Sequence, residues 1–271
     1  MNPAALSILL LSAAALLELP QIKCEDPIKT IEMDMAEDAL DDQYDGCRDE
    51  MLKHVNETLL PSELNKNPAL EKAWKIAQDK MMKQDHTGLS LVQATAIYLY
   101  TMDDVHKDFN AAVKTGGTNF SQFQFKALHF HLTDALNTLK SNKLKCYNVY
   151  RGVDVPFTAV KDAIVRFGQF ASTSVKKHVA EGFGTGTLFT IRTCLGVSIK
   201  KYSAYSNEKE VLIPPFERFK VMEVNGKEIR LENIEDHKSY FNCRGGATVF
   251  IIQHTLTVSC VIWPLIVMQI L

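Results

Sequence analysis

Apolar positions recur every three to four residues through the first half of the chain, and in short alternating or unbroken runs through the second. The first spacing lines one face of a helix, and the second suits strands. Asn67 followed by Pro68 is a helix start, a side-chain cap and then a residue whose φ is already helical. That helix is expected to reach about Lys83, with Leu70, Trp74 and Ala77 inward. Ser90 opens another, with Val92, Ala96 and Leu99 inward. Thr101 is placed to cap a third over 102–114, which Gly116 and Gly117 stop. The clearest helical period runs over 124–141 through Phe125, Leu128, Leu132, Ala135, Leu136 and Leu139. Ahead of these, residues 33–50 are acidic and poor in core formers until Tyr44 and Cys47. They read as an extended arm tied down by the cysteine.

After Cys146 the texture changes. The stretches 147–153, 163–172, 187–200, 208–213, 216–224 and 227–231 are β-branched or aromatic and are separated by Gly, Pro or Asn. Asn225-Gly226 is a hairpin-turn signal, and a short helix is expected over 176–183. No internal repeat is visible, and no G-x-G-x-x-G follows a strand, which argues against a doubly wound dinucleotide fold. The pattern gives an α+β chain, helical over about 24–143 and β-rich over about 144–245.

The two ends read differently. Residues 4–17 are almost unbroken apolar or small, too short to span a bilayer, and read as a signal peptide over 1–23. Residues 247–271 are apolar without a charged residue and follow the small residues Gly245 and Gly246. This is the pattern of a removable GPI-attachment signal, here 246–271. The exported chain would then be one domain, 24–245, held at the outer cell surface by lipid or released. With 30 basic against 32 acidic side chains in 271 residues, there is no basic footprint for nucleic acid. Four cysteines stay in the exported part, Cys47, Cys146, Cys194 and Cys243, and allow three pairings. No C-x-x-C is present, and no metal site is expected. Asn56 and Asn119 each begin a glycosylation sequon.

Chemistry concentrates in the β-rich half. Glu208, Lys209 and Glu210 precede Val211, Leu212, Ile213 and Pro214. In an extended run the two glutamates point the same way, about 7 Å apart, while Val211 and Ile213 anchor the strand. Such a pair suits a cation or a transition state gaining positive charge. Taken alone it reads as an acidic edge strand. His129 and His131, inside the 124–141 helix, read as structural, since no ligand set is spaced around them. Two further pieces share the β-rich half: Tyr150, Arg151 and Gly152 on one strand, and Phe167 to Ser174 (FGQFASTS) closing another.

Arg151, Ser172 and Glu210, in this order and with these flanks, resemble the R-S-E signature of the mono-ADP-ribosyltransferases, in their arginine-specific vertebrate ecto-enzyme branch. The resemblance extends to DDQYDGC (41–47), FKALHFHLTDAL (125–136), TLFTIRTCLG (187–196) and VLIPP (211–215). It implies a helical part packed on a β-sandwich-like NAD-binding core. NAD+ would be the substrate, with no permanently bound cofactor, and arginine-containing proteins the acceptors. Arg151 would meet the phosphates of NAD, Ser172 would support the nicotinamide ribose, and Glu210 would be the catalytic carboxylate. Glu208 would select arginine, and Tyr100, Gln169 and Ser203 would contact NAD. The loop 202–207 would present the acceptor. The same resemblance pairs Cys47 with Cys243 and Cys146 with Cys194. Two alternatives are an NAD glycohydrolase, with water as acceptor, and an inactive surface recognition protein of the same fold.

Overall fold

The computed structural model describes residues 30–103, 105–141 and 145–245, so the expected leader and tail lie outside the described residues. The arm enters as β1 (Ile31–Glu32). Helices follow: α1 (Arg48–His54), a π-helical turn (Val55–Leu59), α2 (Leu60–Lys66), α3 (Pro68–Met82), α4 (Leu91–Tyr100), α5 (His106–Gly116) and α6 (Lys126–Ser141). Asn67 caps α3 through Leu70 N at 3.1 Å, as its sequence suggests. Ser90 and Gln93 form a reciprocal capping box on α4.

The helices at 48–66 were not visible in the amphipathic pattern. Pro61 cannot donate to the carbonyl four residues back, and the preceding turn widens to π geometry just before it. Thr101 is the C-cap of α4, its hydroxyl bonded to Tyr98 O, and does not start a helix. The next helix begins later, after Val105.

The β-rich half contributes β2 (Tyr147–Val153), β3 (Phe157–Thr158), β4 (Ile164–Val165) and β5 (Ala171–Ser174), then α7 (Lys177–Glu181). It continues with β6 (Thr187–Thr193), β7 (Val197–Ser198), β8 (Glu210–Ile213), β9 (Phe219–Asn225) and β10 (Glu228–Asn233). The expected strand at 163–172 is broken into β4 and β5, because Gly168 takes a positive φ of 62° against Ala36 of the arm. The stretch 187–200 divides into β6 and β7 at a turn pinned by buried Glu217, which accepts from the amides of Cys194 and Leu195.

Among the described residues eight strands form one mixed sheet, in the order β4-β9-β10-β6-β2-β5-β8-β7. β2 is registered with β6 over seven residues but with β5 at a single pair, Tyr150 with Ser174. The sheet therefore nearly parts there, into a leaf of five strands and a leaf of three. Val149, Phe189, Ile191 and Phe219 from the larger leaf close a core with Ala171, Val211 and Ile213 from the smaller. The opposite face of the smaller leaf, with Phe170, Val197 and Leu212, packs on the helices. Burial of side chains on both faces explains why Val211 to Ile213 of β8 read as an unbroken apolar run.

Two disulfides, Cys47–Cys243 and Cys146–Cys194, cross-link the chain. His129 is fully buried, between Leu40 O at 3.0 Å and the Tyr44 hydroxyl at 2.8 Å. Burial pushes its pKa down to about 4, so it is a neutral structural residue.

Candidate active site

The site forms where the two leaves part. β2 brings Arg151, β5 brings Ser172, and β8 begins with Glu210. Arg151 Nη1 donates to Ser172 O at 2.7 Å across the single-pair junction. Gly152 is required beside it, since a Cβ there would lie 2.2 Å from Ala180 O of α7. The half-buried guanidinium is held below its ordinary pKa by burial, while Tyr100 and Glu210 oppose that shift.

Glu210 is 5% exposed. Burial pushes its pKa up to about 7, the Glu208 carboxylate adds to the rise, and the hydroxyls of Ser172 and Ser203 and the Arg151 charge pull against it. Ser203 Oγ lies 3.4 Å from Glu210 Oε2 and is buried behind it. That makes Ser203 a support for the carboxylate, and it is not among the residues that line the cavity. Tyr100, the last residue of α4, donates to Phe170 O at 3.1 Å and lies 3.2 Å from Ser172 Oγ. Asn110 of α5 donates to the same Tyr100 hydroxyl at 3.1 Å. Helices α4 and α5 thus fix the Ser172 side chain from behind.

Glu208 does not share a strand with Glu210. It ends a 3₁₀ turn, Ser206–Glu208, and Lys209 is left-handed at φ 51°, ψ 47°. The expected one-pleat spacing is therefore replaced by a sharp turn, and Glu208 is half-buried at the mouth while Glu210 is deep. Ser174 Oγ donates to Glu208 O at 2.6 Å and fixes the turn on β5. Burial raises the Glu208 pKa, and Asp103 adds to the rise. The loop ahead of it is fastened to the helical half at several points. Tyr202 donates to Thr87 O, Ala204 N donates to Thr101 Oγ1, and the Tyr205 hydroxyl donates to Asp103 Oδ2, each at 2.9 Å.

These groups line a cavity of about 530 Å³, the size range of small-molecule sites. Gln169 is on its wall with Tyr100, Arg151, Ser172, Glu208 and Glu210. Sequence reasoning missed Asp103, His106, Lys107, Asn110, Lys114 and Phe183, which also line it. The cavity is polar in its charges: Arg151, Lys107 and Lys114 are cationic, and Asp103, Glu208 and Glu210 carry carboxylates. Asn110 Oδ1 is buried without a hydrogen-bond partner, and the Phe183 ring is 60% exposed. No group of three or more His, Cys, Asp or Glu able to hold a metal occurs among the described residues.

A family model described as NAD:arginine ADP-ribosyltransferase matches residues 33–239. The erythroblast NAD(P)(+)–arginine ADP-ribosyltransferase of Gallus gallus is 41% identical over 212 residues, covering 72% of this chain and 68% of that protein. The T-cell ecto-ADP-ribosyltransferase 1 of Rattus norvegicus is 38% identical over 221 residues, 78% of this chain and 79% of that protein. A crystal structure of a mutant of the eukaryotic mono-ADP-ribosyltransferase ART2.2 in complex with NAD superposes with a TM-score of 0.73 at 38% identity. That likeness covers 79% of this chain and 99% of the ART2.2 chain.

Proposed function

This chain belongs to the NAD:arginine ADP-ribosyltransferase family, and on that premise we propose that it cleaves NAD+ and passes the ADP-ribose to arginine side chains of extracellular or cell-surface proteins. Arg151, Ser172 and Glu210 are its catalytic set, and Glu208 selects the acceptor. The observation that carries this reading is the buried Glu210 carboxylate, set in one cavity with Arg151 and, at its mouth, Glu208.

Breaking the bond from ribose to nicotinamide leaves an oxocarbenium-like centre. A buried carboxylate that is poorly compensated before reaction gains more from that developing charge than from the ground state, which lowers the barrier. Glu210 is such a group, with a pKa near 7 in the free protein. Arg151, with Lys107 and Lys114 nearby on the wall, suits the diphosphate. Phe183 offers a face for a planar ring, and Asn110 Oδ1 offers an acceptor to a substrate donor. The acceptor guanidinium is a poor nucleophile because its pKa exceeds about 12. A charge-assisted bond to Glu208 orients it and draws off positive charge.

The test is labelled NAD with and without agmatine, following nicotinamide release and ADP-ribosyl-agmatine together. Glu210→Gln is expected to lose both. Glu208→Gln is expected to lose transfer about 10- to 150-fold more than hydrolysis, the worth of one charge-assisted bond. Equal loss of both activities in Glu208→Gln would refute the division of labour.

Export and lipid anchoring complete the reading, with residues 24–245 as one catalytic domain. Two disulfides and the exposed sequon residues Asn56 and Asn119 support passage through an oxidising pathway. Phosphatidylinositol-specific phospholipase C is expected to release the protein from cells. Full retention, with 246–271 present in the mature chain, contradicts the anchor.

A further inference from the structure

We infer that Asp103, on the connection between α4 and α5, is a second acceptor-side carboxylate that acts with Glu208 to set the enzyme's affinity for a guanidinium group. The inference rests on the transferase reading above and adds a residue that the R-S-E pattern does not contain. Asp103 is more than a hundred positions from Glu208 in sequence, yet it lines the same cavity as Glu208, Glu210 and Arg151. Its carboxylate is held by the Tyr205 hydroxyl, which donates to Oδ2 at 2.9 Å. Tyr205 is itself in the loop that leads to Glu208, its amide bonded to Ser203 Oγ at 3.0 Å.

The placement fits recognition better than structural pairing. Tyr205 is neutral and uses one oxygen of Asp103, so the negative charge stays uncompensated by that bond. No ion pair to a Lys or Arg is formed by Asp103 among the described salt bridges, whereas surface acids such as Asp85 and Asp162 have lysine partners. Asp103 is close enough to Glu208 to disfavour its ionisation. Two carboxylates kept near each other at a cavity mouth repel until a cation enters, and a planar guanidinium has donors on more than one edge. Relief of that repulsion favours a cationic acceptor over water, so the pair shifts the outcome from hydrolysis towards transfer. Neighbouring Thr101, which accepts from Ala204 N, keeps this connection and the acceptor loop in register.

The experiment uses the full-length protein and measures KM for agmatine, KM for NAD and the ratio of transfer to hydrolysis. Asp103→Asn keeps an oxygen for the Tyr205 hydroxyl and removes the charge. Its KM for agmatine is expected to rise about 2- to 5-fold, with its KM for NAD little changed and the product ratio shifting towards hydrolysis. Added salt should raise the agmatine KM of the wild type more steeply than that of Asp103→Asn, since screening acts on the charge that the variant lacks. Asp103→Glu should recover most of the lost affinity. An agmatine KM unchanged in Asp103→Asn overturns the inference, as does a loss shared equally by hydrolysis and transfer, which would make Asp103 a structural tether only. A wild-type protein that releases nicotinamide but never modifies agmatine would instead overturn the transferase reading beneath it.

Discussion

Under the proposed function, Glu210 governs the reactivity of this protein, and its burial sets part of the protein's instability. Its pKa rises from 4.5 to about 7 because burial outweighs the hydrogen bonds of Ser172 and Ser203. Between those two values the folded chain holds this proton more tightly than the unfolded chain does. Stability therefore falls as pH rises across the interval, and the cost is complete above about 7. At 1.36 kcal/mol per pH unit the ionised carboxylate costs on the order of 3 kcal/mol. Glu210→Gln should thus be more stable than the wild type at pH 8, with the gap closing towards pH 5, in urea titrations at both values. In the proposed mechanism the same carboxylate has to be ionised to meet the oxocarbenium charge, so kcat/KM for NAD should climb with pH and level off above about 7. A Gln variant less stable than the wild type at pH 8, or a rate flat from pH 5 to 8, would show that Glu210 is not the strained base described.

Elements with local causes were legible in the sequence, and elements with distant causes were not. Asn67-Pro68 and Ser90 start helices because their capping bonds lie within three residues. The apolar run 211–213 is a strand for a reason that periodicity also carries, burial on both faces. Arg151, Ser172 and Glu210 were found through the order of their motifs, and the fold brings all three to the parting of the sheet. The turn at Glu208 was read as strand because alternation cannot report one left-handed residue, Lys209 at φ 51°. Asp103, Lys114 and Phe183 had no motif to betray them, since only packing of α4, α5 and α7 against β2 and β5 gathers them. The Lys209 conformation gives a test at this scale. Lys209→Gly relieves a backbone cost and should keep both activities, with stability equal or up to about 1 kcal/mol higher. Lys209→Val meets the full penalty of a β-branched residue and should lose about 1–2 kcal/mol, with transfer falling more than hydrolysis as Glu208 is displaced. A Val variant matching the wild type in urea midpoint and product ratio would mean that the turn is not constrained by this residue.

At the scale of the whole molecule, the two ends of the described chain are gathered by one buried knot. Arg166, next to β4 at the sheet edge, pairs with Asp41 of the arm, both side chains fully buried. Arg166 also donates to Met35 O at 2.7 Å and Ala36 O at 2.9 Å. Asp41 also accepts from Tyr240 N at 2.8 Å and Phe241 N at 2.9 Å. Asp42, beside it, accepts from Cys243 N and Arg244 N, and Cys47–Cys243 closes the same region covalently. A buried ion pair can often be exchanged for two apolar side chains at little cost, because the pair's attraction barely repays its desolvation. Here that exchange should fail. Removing both charges leaves Met35 O of the arm and the amides of Tyr240 and Phe241 without these partners, while Ala36 O keeps the Ala39 amide, and each orphaned group shielded from water costs about 1–3 kcal/mol. Asp41→Leu alone should lose about 3–5 kcal/mol through the stranded Arg166 charge. The double variant Asp41→Leu with Arg166→Met should still lose about 3 kcal/mol or more, measured by urea unfolding with both disulfides intact. A double variant as stable as the wild type would mean that water or local rearrangement satisfies those three backbone groups. The arm and the C-terminal segment would then be held by the Cys47–Cys243 bridge and the Asp42 bonds without need of this knot.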